Sequence, residues 1–188
     1  MSVAMDLMPL SANTVSARAS AATRRVVLGG VLLAGACVLG LVEAGVASSL
    51  PGVRLGLANI AVLVALVSLG EGPALAVSIL RVGIVGLATG SLFGPTSALA
   101  IAGALAAWAA MALALRGSVR FSLVGVSIAG SAAHVTAQFL VAALLAGAPG
   151  VLRLASFSLL ASLLFGIATG LVARLVISRL EGSAATGR

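Results

Sequence analysis

From about Val26 to Ile177 the chain is a succession of long apolar runs, separated by short breaks that carry arginine, glycine or proline. Roughly 20 consecutive apolar residues are what a helix needs to cross the hydrocarbon core of a bilayer. A chain made of such runs has little to cover a water-facing surface with: 61% of its residues are apolar and 8% charged, against about a quarter charged in an average soluble domain. Its solvent is lipid, where every backbone N–H and C=O must be satisfied inside the protein. The expected fold is all-α, a polytopic integral membrane protein built as a six-helix transmembrane bundle.

The breaks divide the chain into three parts. Residues 1–23 mix Ser, Ala, Asn and Thr around Pro9 and Arg18 and read as a disordered cytoplasmic tail. Residues 24–180 form the six-span domain, and 181–188 form a disordered C-terminal tail. Span one runs from Val26 to Val46 after Thr23-Arg24-Arg25. Gly45 and Ala47 are small enough for signal-peptide cleavage, but the apolar stretch is longer than the 7–15 residues of a signal sequence and Glu43 interrupts its end, so it reads as a retained span. Span two, Leu55–Leu69, is short and either begins with the Pro51-Gly52 turn or enters at an angle. Spans three to six follow at Pro73–Phe93, Thr96–Leu115, Phe121–Leu145 and Leu154–Ile177, with Gly94-Pro95 and Gly147-Ala148-Pro149-Gly150 as breakers.

Net charge is +7, from eleven arginines and no lysine. Spread between apolar runs, these arginines determine topology and do not build a nucleic-acid surface. With the N-terminus inside, Arg18, Arg24, Arg25, Arg116, Arg120, Arg174, Arg179 and Arg188 fall on the inner side and only Arg54 and Arg153 on the outer. That bias fits only an even number of crossings with both termini cytoplasmic, in the plasma membrane.

Several chemistries are excluded. Without lysine there is no phosphate-binding P-loop, and Asp6 is the one aspartate available to a Ser/His/Asp triad. Cys37 is a lone packing cysteine, and one histidine without a carboxylate cluster makes no metal site. The chain reads as a non-enzyme with no cofactor.

Polar side chains at membrane depth are costly and therefore candidates for function. Arg81 stands eight residues into span three, on the side of Ser78 and nearly opposite Gly83, Gly86, Gly90 and Gly94. It either meets a ligand, an anionic one by charge, or serves as a structural ion pair or carbonyl cap. Ser127, Ser131, His134 and Gln138 form one stripe on span five that either bonds a neighbouring helix or lines a cavity. Glu43, Arg54 and Asn59 concentrate polarity around a broken segment at the outer side. Arg54, Asn59, Arg81, Ser127, Ser131, His134 and Gln138 are the candidate substrate-binding residues. Small residues also recur at every fourth position: Ala36, Gly40, Ala44 and Ser48 on span one, Ser158, Ser162, Gly166 and Gly170 on span six. Such faces serve internal packing or the docking of a membrane partner.

The run Leu50-Pro51-Gly52-Val53-Arg54-Leu55-Gly56-Leu57-Ala58-Asn59-Ile60, then Leu80-Arg81-Val82, then Gly125-Val126-Ser127 through Ala133-His134 and Gln138, resembles the bacterial family called Gx transporter or heptaprenyl diphosphate synthase component I. The likeness covers roughly residues 30–178, with Arg54 where a lysine is usual. In topology the family is similar to the substrate-binding S-components of energy-coupling factor transporters. That likeness implies a small-molecule substrate, an energy source in a gradient or separate ATPases, and a coupling subunit docked on Ala36, Gly40 and Ala44. The other family name implies a prenyl diphosphate synthase, which holds its diphosphate through divalent cations on paired Asp-rich motifs. Asp6, Glu43, Glu71 and Glu181 are all isolated, so that name fits this chain only as a non-catalytic accessory subunit in isoprenoid, quinone or flavin-linked redox assembly. From the arginine distribution, a reporter active only on the outer face and fused after Arg188 is expected to stay silent; activity there overturns the six-span reading.

Overall fold

The computed structural model describes residues 8–49, 56–117 and 121–186, which are helical apart from turns and short connections. Six α-helices follow one another: α1 (Met8–Ser49), α2 (Asn59–Leu69), α3 (Glu71–Ala88), α4 (Pro95–Arg116), α5 (Leu123–Ala146) and α6 (Leu152–Thr186), the last preceded by a 3-10 turn at Pro149–Val151. All but α2 are long and apolar enough to cross a membrane. The protein is a multi-pass membrane protein.

The helix ends follow from local chemistry. Pro95 sits in the first turn of α4, where its missing N–H is no loss. Ser122 caps α5 by accepting the Gly125 N–H at 3.1 Å, and Gly147 closes the same helix in the left-handed conformation at φ 60°. At the end of α3, Gly90 (φ 68°) turns the chain so that the Ser91 N–H reaches the Gly86 carbonyl at 2.8 Å, the long-range bond of a Schellman close.

Two differences from the sequence reading concern the tails. Helix α1 begins at Met8, so residues 8–23 continue span one as helix. Pro9 falls in the first turn, and between it and Gly29 there is neither glycine nor proline, so an alanine-rich helix propagates back from the span. Likewise α6 runs on to Thr186, through most of the expected C-terminal tail.

Span two differs more. Helix α2 has 11 residues, about 16 Å at 1.5 Å per residue, against the ~30 Å of a hydrocarbon core. Gly56 (φ 64°) and Gly70 (φ 95°) bracket it in conformations that stop a helix. Its side chains explain its place: Ala61, Val62, Leu63, Val64, Ala65, Leu66 and Leu69 are buried on nearly all sides. A helix apolar all round belongs in a core.

Contacts between helices show that the chain reverses at each step. The Arg25 guanidinium donates to the Leu69 carbonyl at 2.9 Å, so α2 ends level with the early part of α1. Glu71, which opens α3, pairs with Arg116 at the end of α4, and the Trp108 indole donates to the Glu71 carbonyl at 3.1 Å. A Cβ placed on Gly103 would meet His134, and one on Gly130 would meet Met111, so α4 and α5 run antiparallel. On α6, Gly166 lies against Ile128 and Gly170 against Val124, again antiparallel. The apolar core fills the Arg25–Glu71–Arg116 end of the bundle, where Ala36, α2, Ala74, Val77, Met111, Val126, Ala173 and Ile177 pack together.

The small-residue face of α6 is therefore part of this close packing. A Cβ on Gly170 would stand 2.7 Å from the Val124 Cα, a backbone atom that cannot swing away. Gly170→Ala is expected to lower stability by about 1–3 kcal/mol, as overpacking does, in thermal unfolding of the detergent-solubilised protein. Gly30→Ala, with nothing within 4 Å, is the control and is expected to be neutral or slightly stabilising.

Candidate functional site

Beyond the apolar core, towards the end where α1 finishes and α4 begins, the helices separate around a cavity of about 630 Å³. Its wall comes from α1 (Gly40 to Gly45), the second half of α3 (Arg81 to Thr89), Ser91, the start of α4 (Thr96, Ser97, Ala100) and two residues of α5, His134 and Gln138. The volume falls in the range of small-molecule sites.

Arg81 lies on this wall with 7% of its surface exposed. Its aliphatic stem runs beside Gly40: a Cβ there would stand 3.8 Å from Cγ and 3.9 Å from Cδ of Arg81, and 3.0 Å from Cγ2 of Val85. Glycine on α1 thus leaves the room in which the guanidinium is seated. The Nε of Arg81 has no hydrogen-bond partner among the described residues.

Glu43, on α1 one turn beyond Gly40, lines the same cavity and is buried. One oxygen is engaged, since the Gly56 N–H donates to Oε1 at 2.6 Å. Its charge interacts with that of Arg81, yet among the described residues the two form no ion pair within 4 Å. By sequence Glu43 stands near the outer end of span one; the structure brings it to one wall with Arg81. Six residues on, α1 ends, so a helix position alone does not reveal that the Gly56 N–H meets this carboxylate.

The polar stripe of α5 divides among three environments. Ser127 faces α6, its hydroxyl 2.8 Å from Thr169 Oγ1, and serves helix packing. Ser131 is buried, its Oγ without a partner among the described residues, and points towards Gly56 beside Asn59, whose Nδ2 is likewise unpartnered. His134 and Gln138 reach the cavity, with a 3.0 Å hydrogen bond between His134 Nε2 and Gln138 Nε2. They fit because α4 carries Gly103 opposite: a Cβ there would lie 2.8 Å from Cε1 of His134 and 3.0 Å from Cγ of Gln138.

The structure thus gathers Arg81, His134 and Gln138 at one cavity, sets Asn59 and Ser131 beside it behind Gly56, and places Ser127 elsewhere. Arg54, with the Pro51-Gly52 turn, lies outside the described residues. Glu43, Thr89, Ser91, Thr96 and Ser97 line the cavity and were not among the candidates. Glu43 offered a signal, as one of few charges within a span; Thr89 and Ser91 sit on the α3–α4 connection and Thr96 and Ser97 in the first turn of α4, whose placement is set only by tertiary packing. Of the glycines opposite Arg81, Gly83 and Gly90 have nothing within 4 Å, whereas Gly86 lies against Leu92 and Ser97.

The face formed by Ala36, Gly40 and Ala44 is used within the chain. Ala36 is fully buried in the core, Gly40 packs on Val85 and Arg81, and Ala44 lines the cavity. Ala36 and Gly40 are thus buried within the chain, while Ala44 is half-buried.

The comparison with known families decides the relationship. The model of the family described as heptaprenyl diphosphate synthase component I matches residues 32–176. The chain belongs to that family. The match includes every described residue that lines the cavity. No curated protein and no solved structure matches the chain.

Gly40→Leu is expected to displace Arg81 and Val85 and to lower thermal stability clearly more than Cys37→Leu, since Cys37 is only half-buried. Equal melting temperatures for the two variants in detergent would remove the role given to Gly40.

Proposed function

We propose that this component I family protein is a substrate-binding membrane protein of the S-component type, which captures or moves a small organic molecule. The observation that carries the reading is the cavity of about 630 Å³ walled by a buried arginine whose Nε has no partner among the described residues. Polar groups are retained at membrane depth where they meet a substrate, one another or water. Here Arg81, Glu43, His134 and Gln138 converge from α1, α3 and α5 on a space lined otherwise by the hydroxyls of Thr89, Ser91, Thr96 and Ser97 and by glycine and apolar residues.

We place the protein in the plasma membrane with six crossings and both termini in the cytoplasm. The short helix α2, together with the chain leading into it, makes the second crossing. Arg25 and Arg116 stand at one end of the bundle, the end to which α6 returns with Arg174 and Arg179, in keeping with a positive-inside orientation. Coupling to a transmembrane subunit with separate ATPases fits this reading, with docking on a surface other than the Ala36–Gly40 face.

The family description favours a second reading. It designates a component of heptaprenyl diphosphate synthase, so the chain is alternatively an accessory membrane subunit that supports a partner's isoprenoid chemistry without performing it. Purification in mild detergent and native mass spectrometry separate the two. Substrate binding predicts a retained molecule of a few hundred daltons, lost from a folded Ala100→Phe variant that fills the cavity. A stable protein partner with no small molecule retained overturns the first reading in favour of the second.

A further inference from the structure

The cavity wall places two opposite charges near one another without joining them. Arg81 and Glu43 are both more than nine-tenths buried, share the wall, and interact electrostatically, but among the described residues they do not pair. A buried ion pair is tolerable when the ions meet and their remaining hydrogen-bonding capacity is satisfied. Among the described residues neither condition is met. Glu43 has one oxygen on the Gly56 N–H, and Arg81 keeps a buried Nε without a partner. Each charge is held in place by its own support, Gly40 and Val85 beside Arg81, Gly56 beside Glu43. The gap between them is a built dipole.

Resting on the substrate-binding reading, we propose that this dipole selects its ligand: a small organic acid that also carries a hydrogen-bond donor. One carboxylate oxygen meets the Arg81 guanidinium, and an N–H or O–H of the same molecule meets Glu43. The planar guanidinium suits an oxyanion held by two parallel bonds. Glu43 when ionised only accepts, so the group opposite it must donate. His134 and Gln138 bound the polar half of the ligand, while Leu41, Val82, Val85 and Ala100 offer an apolar wall to the rest of it. The formal charges of Arg81 and Glu43 sum to zero, so a molecule near neutrality, or with one negative charge, is matched. A diphosphate is not: a second and third negative charge would stand beside the Glu43 carboxylate with no second cation on the described wall.

The test uses the full chain, purified in detergent, incubated with a total small-molecule extract of the producing cells, washed, and read by native mass spectrometry with fragmentation of what is released. The expected molecule contains one acidic group and at least one N–H or O–H donor. Arg81→Gln is expected to lower the retained amount at least tenfold, and Arg81→Lys to lower it less, because lysine keeps the charge and loses the planar fork. Glu43→Gln keeps an acceptor for the Gly56 N–H and is expected to lower retention several-fold through loss of charge alone. If Arg81→Gln does not fold, Arg81→Lys and Glu43→Gln decide. Retention of a molecule without an acidic group, of a diphosphate, or of an acid indifferent to both positions overturns the proposal and leaves the substrate-binding reading standing. Retention of nothing by the unsubstituted protein overturns both.

Discussion

A guanidinium inside a membrane protein is the costliest group in this chain, from about 3 kcal/mol to several times that at the centre of a span, and much of the bundle on one side of the apolar core is arranged around it. Gly40 gives the stem of Arg81 its room against α1, and Val85 closes the contact from the next turn of α3. Ser78, on the same face of α3, donates to the Ala104 carbonyl at 3.4 Å and fastens that face to α4. The head of the arginine is left on a cavity wall with a carboxylate near it and not on it. Each of the two charges has its own contact, the Arg81 stem beside Gly40 and Glu43 on the Gly56 N–H.

The bundle has two ends of different character. At one, α2 is enclosed by the other helices in an apolar core and tied to α1 by Arg25. At the other lies the polar cavity, walled by α1, α3, α4 and α5. Since lipid provides no hydrophobic drive between helices, packing here depends on close approach through small residues, visible where Gly166 and Gly170 meet backbone atoms of α5 and where Gly103 admits His134 and Gln138. The same glycines that permit association also shape the site.

Much of this was legible in the chain. Run length gave the helices and their approximate limits, because crossing the hydrocarbon core fixes a minimum length. Gly147 and Pro95 marked helix ends at which their conformations fit, whereas Gly90, read inside a span three reaching Phe93, turns the chain just after α3 ends at Ala88. Arg81, His134 and Gln138 stood out through the cost of polarity at membrane depth, and they meet at one cavity. Other parts were not legible. Ser127 shares its stripe with His134 but turns to Thr169, since a helix of 24 residues with neighbours on two sides presents one stripe to different partners along its length. The face of Ala36 and Gly40 has the same pattern whether it receives a partner protein or the chain's own α3, because close packing asks for small residues in both cases.

By itself the sequence determined the solvent, the helical class and the family, since hydropathy, backbone satisfaction in lipid and the family's residue pattern are all local or cumulative properties of a chain. Only the tertiary structure decided that α2 is a buried core helix, that Glu43 faces the cavity of Arg81 from a different helix, and that Gly40 serves that arginine. Those facts depend on which helices come together and at what depth. That is settled by the fit of side chains across helices, and no spacing along one helix contains it.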